Sequence, residues 1–296
     1  MVRDMEDRLK TVSIKGLREI GRGATSRVYQ LDDERIIKVF YPWIRKDEIE
    51  RERNTSRRAL IKGIPATITF EMVHTEEGYG IIFELVDTDT LAEAVRKEPD
   101  KLEHYALAAA DVLKILHSTH YNIGELPDTR ENWWNLCSMG LVRYLTDQQA
   151  GRVHRFLMEL PCRDTFIHGD YHAQNIMVKN GELILIDLGE SSLGHPVFDL
   201  SGVYMSCEQL QADNPKLRIL SAEQWDEFWK VFYGRYFEAF SESNLKQALV
   251  QIERFALLRR LMIWPLSLKC DEEKKKELLM PGIRKLFEDI EDMSDL

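Results

Sequence analysis

His168-Gly169-Asp170-Tyr171-His172-Ala173-Gln174-Asn175, followed by Ile184-Leu185-Ile186-Asp187, is the stretch whose reading decides the fold. It sets an aspartate and an asparagine five residues apart, just before a short apolar hairpin that ends in a second aspartate. The Asn180-Gly181 pair at the tip of that hairpin is a strong two-residue turn signal. Asp170 can accept or orient a hydroxyl proton. Asn175 and Asp187 offer oxygen ligands suited to Mg²⁺, a hard cation. Together they can serve a nucleoside triphosphate, because phosphoryl transfer asks the protein mainly for positioning and charge neutralisation. Each residue alone also has a plain structural use: a turn cap, a turn hydrogen bond, a strand end.

Upstream, Gly21-Arg22-Gly23-Ala24-Thr25-Ser26-Arg27-Val28 lies between two apparent strands. Glycines there let backbone N–H groups approach phosphates. Placement between strands disfavours a dinucleotide-binding turn or a Walker loop, which open a helix. Ser26 replaces a third glycine and brings a hydroxyl of its own. Val28–Leu31 and Arg35–Phe40 flank Asp32-Asp33-Glu34 and read as a hairpin. Lys38, ten residues after Val28, sits where the strand returns beneath that glycine turn. It can bind α- and β-phosphates if an acid from the following helix holds it, with Glu48, Glu50 and Glu52 as candidates.

The coarse pattern divides the chain. Residues 11–86 read mainly as strands, with one helix from Lys46 to Lys62 stopped by Gly63 and Pro65. Thr67–His74 and Tyr79–Leu85 form a second strand pair. Beyond residues 87–90 the character is helical: an amphipathic helix over 100–120, one or two helices over 131–160 broken near Gly140, and helices from Val197 onward punctuated by Pro265 and Pro281. Two unequal lobes follow, 1–86 and 87–296, joined by a hinge near 84–90.

This order of motifs resembles the protein-kinase-like superfamily. Within it, the chain resembles the aminoglycoside phosphotransferases, choline kinases and related small-molecule kinases. The resemblance spans the glycine turn at 21–28, Lys38, Ile49-Glu50-Arg51-Glu52, Gly63-Ile64-Pro65, the hinge, HGDYHAQN, IDLG and Gly194-His195-Pro196-Val197-Phe198-Asp199-Leu200. It implies an α+β, bilobal protein-kinase-like fold, with a small antiparallel β-sheet N-lobe and a helical C-lobe. It implies ATP and Mg²⁺ as cofactors, with the nucleotide between the lobes. Gly21, Gly23, Ala24, Ser26 and Val28 would then form the phosphate lid, and Lys38 would be held by Glu52. Phe83 would be the gatekeeper, with Glu84 C=O and Val86 N–H on the adenine edge. Asn175 and Asp187 would hold Mg²⁺, Asp170 would orient the acceptor hydroxyl, and Asp199 would brace the catalytic loop.

Departures narrow the reading. Gly169 stands where protein kinases carry an arginine, and Leu188 replaces the phenylalanine of their metal-binding motif. Only eleven residues separate Asp187 from Asp199, too few for a long activation segment. A small-molecule hydroxyl acceptor is therefore expected. A protein Ser/Thr kinase and an inactive nucleotide-binding module are the alternatives. His172 has two readings, a contact to phosphate or substrate and a structural bond.

Composition agrees. A formal net charge of −10 argues against general nucleic-acid binding and is compatible with a cationic acceptor. Cys137, Cys162, Cys207 and Cys270 are far apart and read as free thiols in a reducing, cytoplasmic setting. No apolar run suggests secretion or membrane insertion. Oligomeric state is not legible. Trp133-Trp134, the aromatic helix from Trp225 to Phe240 and the acidic stretch 288–292 are candidates for acceptor contacts, each with a core or solvated alternative.

Overall fold

The computed structural model describes residues 9–212 and 220–294. Residues 1–8, a charged stretch included in the expectation that no apolar run suggests secretion, lie outside the described residues. The chain forms two compact units. One is the chain up to Thr90 together with Asn175–Glu190. The other is Leu91–Gln174 together with the chain from Ser191 onward. The sequence-based division placed all of 87–296 in one lobe, whereas the hairpin 175–190 groups with the first unit.

The first unit is built on a five-stranded antiparallel sheet of order β1-β2-β3-β5-β4. Its strands are β1 (Glu19–Arg22), β2 (Ser26–Gln30), β3 (Arg35–Phe40), β4 (Thr69–Thr75) and β5 (Gly78–Glu84). Asp32 closes the β2–β3 turn by accepting the Glu34 N–H at 3.0 Å. Strand periodicity sends alternate residues to opposite faces. Ile37 and Val39 join Ile14, Tyr29, Val73 and Ile82 on one face. Phe40 joins Ile49, Met72, Ile81 and Phe83 on the other, the face covered by α1 (Lys46–Ile61). Lys38 shares the parity of Phe40, so the sheet aims it toward α1.

Helix α1 ends where the sequence predicts. Gly63 takes φ +85°, and Ile64 N–H returns to Ala59 C=O at 3.0 Å. That left-handed exit suits glycine. It sends Pro65 and Thr67 alongside the hairpin of β7 (Ile176–Lys179) and β8 (Glu182–Leu185). Leu185 N–H donates to Pro65 C=O at 2.7 Å, and Thr67 N–H donates to Leu185 C=O at 3.0 Å. Asn180 and Gly181 both have positive φ, the geometry of the tight turn expected there.

The second unit is helical: α2 (Leu91–Lys97), α3 (Leu102–His117), α4 (Thr129–Met139), α5 (Asp147–Glu159), α6 (Val197–Ala212), α7 (Ala222–Tyr236), α8 (Glu242–Ser267) and α9 (Glu272–Asp289). Short strands β6 (Phe166–Ile167) and β9 (Ser192–Leu193) pair antiparallel. Thr146 and Ser221 open α5 and α7 with capping boxes. Pro265 and Pro281 do not punctuate the helices: each lies inside one, α8 and α9. An internal proline costs about 3 kcal/mol. In α9 the burial of Leu279, Ile283 and Leu286 on both sides of Pro281 offsets it.

Gly140 ends α4 against α8. A Cβ there would lie 2.1 Å from the Met262 carbonyl oxygen, which belongs to rigid helix backbone. Gly140→Ala is expected to destabilise the protein by about 1–3 kcal/mol, the range for overpacking. Thermal unfolding beside wild type checks it.

Candidate active site

In the first unit, Lys38 is the centre of a buried ion cluster. Its Nζ lies 2.7 Å from Glu52 Oε1 and 2.8 Å from Asp187 Oδ1. Glu52 is on the buried stripe of α1 with Ile49, Ser56 and Ala59, whereas Glu48 and Glu50 face outward. Burial pushes the Lys38 pKa down, but the two carboxylates push it up further, so the ammonium stays charged. Burial and the Asp187 charge push Glu52 up, against the pull of Lys38. Asp187 sits at φ +60°, a conformation that aspartate tolerates better than most residues. Gly189 follows because a Cβ there would lie 2.7 Å from Glu52 Oε2.

Asn175 and Asp187 meet at the open end of the β7–β8 hairpin. Ile176 pairs with Leu185, and Ile186 N–H donates to Asn175 C=O at 3.0 Å. Among the described residues, no cluster of three or more His, Cys, Asp or Glu side chains could cage a metal. Asp187 and Asn175 offer one carboxylate and one amide oxygen, and the Lys38 cluster that includes Asp187 has two carboxylates to one ammonium, so the hard-oxygen donor set is of net negative charge. That set fits Mg²⁺ completing its shell with phosphate and water, as Mg²⁺ usually does.

The glycine turn joins β1 to β2. Gly23 N–H donates to Ser26 C=O, and Tyr41 N–H donates to Thr25 C=O, both at 2.9 Å. Ser26 is buried at the base of the turn, and Val28 pairs with Gly21 on β1. Ala24 and Thr25 form its tip. Phe83 is buried at the end of β5. Just beyond it, Glu84 N–H donates to Ile68 C=O and Leu85 N–H to Glu34 C=O, which fixes the backbone leading to Val86.

In the second unit, Asp170 lies on a loop held from below by Asp199. The buried Asp199 carboxylate accepts the His168 and Gly169 N–H groups, both at 2.8 Å. Asp199 is inside the first turn of α6, so its side chain braces this loop and does not cap the helix. His117 at the end of α3 adds a ring nitrogen 3.2 Å from Asp199, and its other nitrogen lies 2.7 Å from the Tyr236 hydroxyl. Tyr171 is buried and donates to Ala109 C=O at 2.7 Å. His172 Nε2 lies 3.3 Å from Asp170 Oδ2. Arg259 Nη2 lies 3.3 Å from Asp170 Oδ1. Desolvation raises the Asp170 pKa. The hydrogen bond and charge of His172 and the charge of Arg259 outweigh it, holding the carboxyl below the ordinary range.

Sequence reasoning missed His117 and Arg259. Nothing local marks His117. Arg259 did leave a trace: it continues the buried stripe Ile252, Phe255, Ala256 and Met262, an unusual place for an arginine. Of the candidate acceptor contacts, Trp133 is core, packed on Phe198 and Phe255. Trp134 meets His154 edge to face. Trp225, Phe228 and Phe232 of α7 are buried, whereas Phe240 is exposed. In the acidic stretch, Asp289 pairs with Lys285 and Glu291 with Arg152, so both are engaged within the unit. The side chain of Asp292 lies outside the described residues.

A five-stranded antiparallel sheet with a lysine–glutamate pair, together with a helical unit carrying His168–Gln174, defines an α+β protein of the bilobal kinase-like class. The chain belongs to the phosphotransferase enzyme family, whose model matches residues 16–249. It is a phosphotransferase with an alcohol group as acceptor. No curated protein matches it in sequence. Among solved structures it is similar to the amicoumacin kinase hAmiN in complex with AMP-PNP, Ca²⁺ and Ami. That likeness has TM-score 0.61 and 17% identity, covering 96% of this chain and 90% of that one. It is similar to the ADP-bound aminoglycoside phosphotransferase APH(2'')-Ib, with TM-score 0.59, 16% identity and 93% of each chain covered. A choline/ethanolamine kinase family protein from Mesorhizobium loti gives TM-score 0.53 and 15% identity, over 92% and 88% of the two chains. At these identities the likeness concerns the fold. Among the described residues, no helix is long and apolar enough to cross a membrane.

Burial pushes the Asp199 pKa up, but its bonds from His117 and the loop N–H groups hold it below its ordinary value. The folded carboxyl thus binds its proton more weakly than the unfolded one. The stability it contributes is present above the unfolded value of about 3.9 and is lost as pH falls toward the folded value. Asp199→Asn should therefore melt below wild type at neutral pH, and the gap should narrow on acidification below about pH 4. Melting curves across pH check it.

Proposed function

We propose that this enzyme transfers the γ-phosphoryl group of MgATP to a hydroxyl of a small molecule, in the cytoplasm. The observation that carries the reading is the charged Lys38, locked between Glu52 and Asp187 beside Asn175. An ammonium so fixed, with one partner itself a candidate metal ligand, is suited to the α- and β-phosphates. The backbone of the glycine turn from Gly21 to Val28 covers the phosphates, and Glu84 and Val86 take the adenine edge. Asn175 and Asp187 would hold Mg²⁺, which when bound neutralises charge on the phosphate oxygens. The low pKa of Asp170 keeps it ionised at working pH. It acts as a hydrogen-bond acceptor that orients the attacking hydroxyl, and rate comes from position and charge more than from proton abstraction. Among the described residues no cysteine is in a disulfide, which suits a reducing compartment. The short run between Asp187 and Asp199, with no room for a peptide-docking activation segment, favours a small acceptor over a protein substrate.

An ATP-consumption assay over aminoglycosides, choline, ethanolamine, sugars, homoserine and methylthioribose tests the reading. Acceptor-dependent turnover is expected, and phosphorylation of protein substrates alone would overturn it. Asp170→Asn should lower turnover by about 10²–10⁴-fold while the heat shift with MgATP persists. Gly189→Ala should displace Glu52, weaken the thermal shift given by MgATP and raise KM for ATP, with kcat less affected. An unchanged MgATP affinity in a folded Gly189→Ala protein would detach the Lys38 cluster from nucleotide binding.

A further inference from the structure

We infer that Arg259 is a positioning residue that fixes Asp170 for the proposed transfer, an inference that rests on that reading. Arg259 lies on α8, eighty-nine residues along the chain from Asp170, yet its guanidinium is built into the Asp170 loop. Nη2 donates to Gly169 C=O at 2.7 Å and lies 3.3 Å from Asp170 Oδ1. The residue is 7% exposed. α6 makes room for it: a Cβ on Gly202 would come within 3.3 Å of Nη1. Gly169 turns at φ +86°, in the left-handed region, and its carbonyl is the oxygen that receives the shorter bond.

A buried cation is a poor device for stability alone. Its desolvation offsets much of what the ion pair contributes, and apolar replacements often do as well. Arg259 carries a further cost, since its buried Nε has no hydrogen-bond partner among the described residues. What the arrangement does supply is geometry. Arg259 meets one oxygen of Asp170 and His172 meets the other, so the plane of the carboxylate is set from both sides. The bond to Gly169 C=O holds the backbone that carries it. A single nitrogen, Nη2, meets both acceptors, and the planar guanidinium fixes the directions of its two N–H groups, which a freely rotating lysine ammonium does not. Misplacement of a positioned group by about 1 Å can cost on the order of 10²-fold in rate. Arg259 therefore acts through Asp170 and not on the acceptor.

The test compares Arg259→Gln and Arg259→Lys with wild type in three measurements. The first is steady-state ATP turnover, with water and with each acceptor of the panel above. The second is the heat shift with MgATP, and the third is hydrogen–deuterium exchange in the peptide spanning 168–172. Arg259→Gln should lower kcat by about ten- to a hundredfold with KM for ATP unchanged. It should speed exchange in that peptide without speeding exchange across α3 or α7. Arg259→Lys should recover part of kcat. In an Asp170→Asn background, Arg259→Gln should add no further loss. A folded Arg259→Gln protein with wild-type kcat and wild-type exchange overturns the inference, as does a loss that appears in KM alone. If Arg259→Gln does not fold, Arg259→Lys is read by the same criteria. If wild type turns over no ATP with water or any acceptor, the phosphotransfer reading falls by itself, and the exchange measurement still decides whether Arg259 holds the loop.

Discussion

Lys38 is a cation taken out of water, and a buried cation without partners would shed its proton or open the fold. Glu52 and Asp187 prevent both. The requirement reaches back into the architecture of the first unit. The parity of β3 must send residue 38 toward α1, the stripe of α1 must place residue 52 inward, and the β7–β8 hairpin must deliver residue 187 to the same point. Gly63 and Pro65 serve the third condition, because the exit from α1 is the edge on which Leu185 docks. Gly189 serves the second by leaving space for the Glu52 carboxylate.

The second unit solves a related problem by a different route. Asp170 is half-exposed and needs orientation more than protection. Its loop is tied at the backbone by Asp199, at Tyr171 by α3, and at Gly169 C=O by Arg259. The anchors come from three helices far apart in sequence, and two are charged groups paired within the fold. A carboxylate flanked by His172 and Arg259 is a weak base, which agrees with chemistry that needs an aligned nucleophile more than a strong proton acceptor.

Much of the first unit was legible in the chain, because its signals are local. Turn residues between short apolar alternations mark the hairpins, and Gly63 with Pro65 marks the end of α1. The choice of Glu52 over Glu48 and Glu50 rested on resemblance, yet the helical stripe through Ile49, Ser56 and Ala59 points the same way. Pro265 and Pro281 misled as punctuation because packing on both sides of a proline can sustain a helix that local propensity would end. Trp133 invited a binding role, but its neighbours Phe198 and Phe255 come from α6 and α8, and no local pattern reveals them.

By itself the sequence determined the order of the elements and the class of chemistry, and it put forward Lys38, Asp170, Asn175 and Asp187 as the candidate set, since spacing and strand parity are properties of adjacent residues. Only the tertiary structure decided what holds that set in place: His117 and Arg259 around the Asp170 loop, and the grouping of residues 175–190 with the first unit. Those contacts join residues tens of positions apart. Their existence depends on helix packing, hydrogen-bond satisfaction and the cost of leaving a buried charge alone, none of which is written in any single stretch of chain.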